Sequence, residues 1–253
     1  MDNYSNADPS VLQGLERILG RPVTAYQSDC RDESALRAIF QQENIGGVIH
    51  FAAFKAVGES MQNPLKYYDN NVGGLLTVLR VMLDLNVPHL IFSSSCTVYG
   101  EPEALPVTEQ APVRPPGSVY GNTKQIGEEI LFDVVQAGLP LNVLSLRYFN
   151  PVGAHPSALI GELPIGVPAN LVPFVTQTAA GLREIITVNG DDYDTPDGTC
   201  IRDYIHVSDV AEAHVAALLR LVQHTRAPHY DVINLGTGQG ASVLEVIHAF
   251  EAV

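Results

Sequence analysis

Residues 93–100 read Ser-Ser-Ser-Cys-Thr-Val-Tyr-Gly, and residues 120–124 read Tyr-Gly-Asn-Thr-Lys. A tyrosine four residues before a lysine on a helix shares a face with it. A free phenol titrates near about 10 and is a poor base at neutral pH. A nearby ammonium favours the phenolate and lowers that value. Ser95, at the carboxyl end of an expected strand, can hydrogen-bond both the phenol and a substrate hydroxyl. Ser95, Tyr120 and Lys124 together make a proton relay suited to oxidising a secondary alcohol while hydride leaves for a cofactor. Tyr-x-x-x-Lys alone is a common helix pair; its weight here comes from the serine-bearing strand before it.

The surrounding pattern supplies the elements that must hold these groups. Short apolar runs at 22–28, 46–53, 87–94 and 141–149 read as strands, and 33–42, 65–85 and 120–137 as helices. That alternation predicts a doubly wound, Rossmann-type α/β fold, a parallel sheet covered on both faces with ligands at the carboxyl ends of its strands. Residues 1–150 form an incomplete dinucleotide-binding domain on this reading. Residues 151–253 form a smaller, loop-rich substrate-binding region, with a strand near 230–235 returning to the main sheet. A helix is expected at 209–223 with Ser208 as N-cap, and another at 242–253. The first strand and its glycine-rich turn are missing from the front of the pattern. Gly236-Thr237-Gly238-Gln239-Gly240-Ala241 formally matches G-x-G-x-x-A but lies at the wrong end, and reads as a tight turn feeding a helix. The first strand is central in such a sheet, so its loss exposes strand edges. The chain is therefore expected to be a truncated product that folds poorly alone and binds a dinucleotide weakly.

Composition narrows the function classes. Fourteen Lys and Arg against 28 Asp and Glu give a net charge of −14 in 253 residues. A chain that acidic lacks the cationic face for nucleic acid and the basic stripe of a membrane-surface protein. No apolar run reaches 18 residues, and the polar start MDNYSNADPS is not a signal peptide. Cys30, Cys96 and Cys200 are widely spaced with no CxxC, which points to free thiols in the cytoplasm. Cys96 reads as a buried filler. No histidine falls in a metal-ligand spacing, and Asp191, Asp192 and Asp194 read as a solvated turn, so no metal is expected.

Six words carry a resemblance. HFAAFKAVGES (50–60), YYDNNV (67–72), FSSSCTVYG (92–100), LRYFNPVGAHPS (146–157), NLVPFV (170–175) and DGTCIRDYIHVSDVA (197–211) follow in one order along nearly the whole chain. With Ser95 and Tyr120-x-x-x-Lys124, they resemble the UDP-glucose 4-epimerase family of extended short-chain dehydrogenases/reductases. The resemblance implies tightly held NAD, a UDP-hexose substrate and inversion at C4 through a 4-keto sugar. Tyr120 would be the base, helped by Ser95, with Lys124 on the nicotinamide ribose. Asp2, which alone reads as part of a polar terminus, would join Asn3 at the adenosine ribose, with Asp29 at the adenine. Phe51, Ala52, Lys55, Asn70 and Tyr148 would be further cofactor contacts. Lys55, Ser95, Tyr120, Phe149, Asn150, Asn170, Leu171 and Arg202 would face substrate, with the Arg202 guanidinium on the diphosphate. The family pattern also implies a missing C-terminal stretch that completes the substrate pocket. Helices 65–85 and 121–137 would form a homodimer interface by analogy. A UDP-N-acetylhexosamine or UDP-uronic acid epimerase and a non-catalytic remnant are the competing readings; intact Ser95, Tyr120 and Lys124 argue against the remnant.

Overall fold

The computed structural model describes residues 1–223 and 228–252. In chain order its elements are α1 (Val11–Leu19), α2 (Glu33–Glu43), β1 (Gly47–His50), α3 (Val57–Gln62), α4 (Pro64–Tyr67), a π-helical segment (Tyr68–Gly73) and α5 (Gly74–Asp84). Next come β2 (His89–Ser95), α6 (Val119–Gln136), β3 (Asn142–Tyr148), β4 (Asn150–Val152) and α7 (Leu171–Ala179). The last are β5 (Ile201–His206), α8 (Val207–Gln223), β6 (His229–Leu235), β7 (Gly240–Ser242) and α9 (Val243–Glu251). Side-chain caps set several helix starts. Asp32 accepts from Ala35 N at 3.0 Å, Ser118 from Gly121 N at 3.1 Å, and Ser242 with Glu245 closes a capping box on α9.

The chain divides into two compact units. The first gathers residues 1–3, 25–148 and the described part of 211–235; the second takes 4–24, 149–210 and the chain from Gly236 onward. The first unit is built on a parallel sheet of order β1-β2-β3-β6. Its side chains alternate between two cores, as a period of two requires. Leu90, Phe92 and Val143 pack with α2, α5 and α6, whereas Ile91, Leu144 and Leu146 pack with Ala217 and Leu221 of α8. Ser95 pairs with Tyr148 across β2–β3, and Tyr148 with Leu235 across β3–β6. The carboxyl ends of β2, β3 and β6 are thus level with one another, and the serine run ends there.

The second unit has a small sheet of order β4-β5-β7. Its 236–240 turn closes on Asp203, whose carboxylate accepts from Thr237 N at 3.0 Å, Thr237 Oγ1 at 2.7 Å and Gly238 N at 2.9 Å. A Cβ at Gly236 would lie 2.6 Å from Asp203 Oδ2, and Gly238 has φ of +73°. These glycines therefore serve a carboxylate-filled turn ahead of α9.

Three expected elements differ. The run at 22–28 is no ladder strand: one bridge joins Gln27 to Asp2, with Asp2 N bonding Tyr26 O and Ser28 N bonding Asp2 O, each at 3.0 Å. The helix expected over 65–85 is interrupted by the π-helical turn, which buries both Asn70 and Asn71. Helix α8 starts before Ser208, whose N–H donates to the His206 ring at 3.1 Å, so Ser208 is inside the helix and is not its N-cap. The end of the expected 242–253 helix, at Val253, lies outside the described residues.

Candidate active site

Strand β2 and helix α6 bring Ser95, Tyr120 and Lys124 together in the first unit. The Ser95 hydroxyl faces the Tyr120 phenol and favours its charged form. The Lys124 ammonium lies 5.9 Å from the Tyr120 ring centroid and 5.2 Å from that of Phe92, and donates to Ser93 O at 2.6 Å. The first turn of α6 is pinned from α3, where Ser60 Oγ accepts from Tyr120 N at 3.1 Å. Burial, above all, pushes the Tyr120 phenol up from its ordinary value, with the neighbouring Tyr148 adding to it and the Ser95 hydroxyl opposing it. The expected depression of the phenol by Lys124 is therefore reversed in the protein alone, because desolvation outweighs it. Burial also brings Lys124 down to about 8, against the pull of Glu128. Burial, together with the Lys124 charge, brings His50 down to about 3.

A polar network stands behind this trio. Glu128, one turn after Lys124, accepts from Ser94 Oγ at 2.5 Å and from Arg147 through Nε at 2.9 Å and Nη2 at 2.5 Å. Arg147 Nη1 donates to Tyr99 Oη at 2.9 Å, which donates to Asn234 Oδ1 at 2.7 Å. Ser93 Oγ and Tyr148 Oη are bonded to each other. Asn71 Nδ2 donates to Phe54 O and Thr123 Oγ1, each at 3.0 Å, and joins the loop after β1 to α6. Sequence reasoning gave no individual role to Ser60, Asn71, Ser93, Glu128 or Arg147. One signal was present for Arg147: a cation inside an apolar strand requires a buried anion.

The other candidates of this unit fall in two places. Asn3 Nδ2 donates to Asp29 Oδ2 at 2.9 Å, and Asp2 bridges to Gln27, so Asp2, Asn3 and Asp29 are gathered. Asp29 also receives Arg31 N, Nε and Nη2, whose bonds hold its carboxyl well below the usual range. Phe51, Ala52 and Lys55 follow β1 and are exposed, Phe51 at 54%. Asn70 is buried and donates to Asn71 Oδ1 at 3.0 Å. Thr97 Oγ1 is buried with no hydrogen-bond partner, two residues from Ser95. An exposed aromatic at a strand end, an open buried hydroxyl and a buried ammonium fit a flat, polar-edged dinucleotide ring.

In the second unit, Asn150 Nδ2 donates to Asp203 O at 3.2 Å. Asn170 stands at the N-cap of α7 next to Leu171 and donates to Glu162 at 3.3 Å. Phe149 packs at Gly236, where an added Cβ would meet its ring at 2.8 Å. Arg202, exposed on β5, bonds Ile201 O at 2.7 Å. Among the described residues no group of three or more His, Cys, Asp or Glu could hold a metal ion, and no helix is long and apolar enough to cross a membrane.

A model of the NAD dependent epimerase/dehydratase family matches residues 2–236. The chain belongs to that family. It is 49% identical over 252 residues to a UDP-glucose 4-epimerase of Neisseria meningitidis serogroup B, covering 100% of this chain and 74% of that protein. The UDP-glucose 4-epimerase of Bacillus subtilis is 48% identical over 253 residues, covering 100% and 74%. Among solved structures, the Bifidobacterium longum UDP-glucose 4-epimerase in complex with NAD+ and UDP superposes with a TM-score of 0.94 at 51% identity. That match covers 99% of this chain and 74% of the other. The expected Rossmann-type parallel sheet and the family resemblance are both borne out.

Proposed function

We propose that this chain is the catalytic core of an NAD-dependent epimerase that interconverts UDP-glucose and UDP-galactose. The observation that carries the reading is the Ser95–Tyr120–Lys124 arrangement at the carboxyl end of β2, in a chain whose relatives bear that name. NAD, when bound, supplies a hydride acceptor and donor, and its cationic ring favours the Tyr120 phenolate. Lys124 would hold its nicotinamide ribose, Phe51, Ala52, Lys55, Asn70 and Tyr148 would be further contacts, and Asp2, Asn3 and Asp29 would take the adenosine end. Tyr120 Oη removes the proton from the sugar 4-hydroxyl, and Ser95 Oγ carries it between sugar and phenol. The 4-keto sugar turns over while its nucleotide stays bound, C4 takes the hydride back on its opposite face, and Tyr120 returns the proton to the C4 oxygen. In the second unit Arg202 takes the diphosphate, with Phe149, Asn150, Asn170 and Leu171 beside the nucleotide sugar. A firm grip on UDP and a loose one on the hexose is what such a turnover requires. Two copies pair through 65–85 and 121–137, a reading supported by exposed Leu65 and Phe132. The cytoplasm suits three free cysteines.

The test is proton NMR of UDP-galactose incubated with the purified chain and a large excess of NAD, which offsets weak dinucleotide binding. Growth of UDP-glucose without accumulation of reduced cofactor is expected. Conversion of UDP-N-acetylgalactosamine alone would transfer the reading to an N-acetylhexosamine epimerase; no conversion of any UDP-hexose would refute it.

A further inference from the structure

The strongest unexplained feature is a buried set of three charges. Lys124, Glu128 and Arg147 are all under 7% exposed. A charge buried in protein is tolerated when it is paired and hydrogen-bonded. Glu128 is the anion paired with Arg147, and its charge also acts on Lys124 through space. It takes Arg147 in a fork and lies one helical turn from Lys124, on the same face of α6. Ser94 Oγ fixes the same carboxylate, and the preceding residue, Ser93, accepts from Lys124. One carboxylate therefore ties the strand ends of β2 and β3 to the helix that carries Tyr120.

We propose that Glu128 is a positioning residue that keeps the Lys124 ammonium protonated and aimed at the end of β2. The proposal rests on the epimerase reading only in giving that ammonium a task. The titratable and charged groups around Lys124 and Tyr120 come from several elements, with Tyr67 on α4, neutral, and Cys96 after β2 both acting on Tyr120. On α6 there are Tyr120, neutral, and Glu128. On β1 there is His50, held neutral by burial. On β3 there are Arg147, a cation, and Tyr148, neutral. Glu128 is the only anion among these, and its pull opposes the desolvation that brings Lys124 down to about 8. Without it, two buried cations remain and the one that can release a proton does so.

The chain has three lysines, Lys55, Lys66 and Lys124, so titration followed by NMR of chain labelled with ¹³Cε-lysine resolves each one. Lys55→Arg and Lys66→Arg assign the signals. One lysine is expected to titrate near 8 in the parent chain. In Glu128→Gln its midpoint is expected to fall to about 7 or below, leaving Lys55 and Lys66 unmoved. If Glu128→Gln does not fold, the double variant Glu128→Gln/Arg147→Met removes the uncompensated guanidinium, and a smaller fall in the same direction is expected. Glu128→Asp, which keeps the charge, is expected to restore the midpoint in part. A purely structural role for Glu128 would leave the Lys124 midpoint in place in the variants that fold, and that result overturns the proposal. The titration needs neither NAD nor sugar, so it can fail while the epimerase reading stands, and the reverse.

Discussion

Two glycine-to-alanine substitutions near the site should have opposite signs. Gly127 lies within α6, where exchanging Gly for Ala gains about 1 kcal/mol of helix propensity. An added Cβ there would fall 2.7 Å from Phe92 Cζ, 3.2 Å from Phe92 Cε1 and 3.4 Å from Leu75 Cδ2, against an ordinary contact of 3.4–4 Å. The Phe92 ring is 3% exposed, stacks on His50 with centroids 6.2 Å apart, and has the Lys124 ammonium 5.2 Å from its centre. It has nowhere to swing, so α6 must move off the sheet. Overpacking of that kind costs about 1–3 kcal/mol, which outweighs the propensity gain. Gly127→Ala is therefore expected to destabilise by as much as about 2 kcal/mol and to lower Tm by as much as about 8 °C. A Cβ at Gly58, within α3, meets nothing within 4 Å. Gly58→Ala is expected to stabilise by about 0.4–1 kcal/mol through the unfolded chain. Thermal and denaturant melts of both variants beside the parent chain decide the matter. A Gly127→Ala chain as stable as the parent, or more so, refutes the claim that contact with a fixed Phe92 sets the sign.

Two further substitutions follow from the buried charges. Lys124 titrates near 8 in the folded chain and at its ordinary 10.5 when unfolded, so between those values the unfolded chain binds the extra proton and stability rises with pH. Lys124→Met should abolish turnover, melt higher than the parent at pH 7, and lose that advantage as pH rises from 8 towards 10.5, measured by melts across that range. Arg147→Met leaves the Glu128 carboxylate buried on Ser94 Oγ without its guanidinium partner, and denaturant unfolding should show a loss of about 3–5 kcal/mol.

The parallel sheet and the Ser95–Tyr120–Lys124 grouping were legible because each rests on spacing: alternation of short apolar runs with helices, and a four-residue helical repeat. What was illegible rests on neighbours. The run at 22–28 has strand character, but a strand needs a ladder, and it has one bridge to Asp2. The 65–85 stretch has unbroken helical periodicity, yet Asn71 must reach Phe54 and Thr123, and the wider π turn supplies that reach. The direction of the Tyr120 shift depends on burial, which the motif does not encode. Glu128 and Arg147 lie 19 residues apart in different elements, and only the folded sheet shows that they meet.

The most direct test of the central claim, that Tyr120 moves the proton while the C4 hydrogen leaves and returns within one site, uses UDP-galactose deuterated at C4. The account predicts UDP-glucose that keeps its deuterium at C4, and conversion reduced at least about 100-fold in Tyr120→Phe. Deuterium lost to water, or a Tyr120→Phe chain that turns over as fast as the parent, would contradict it.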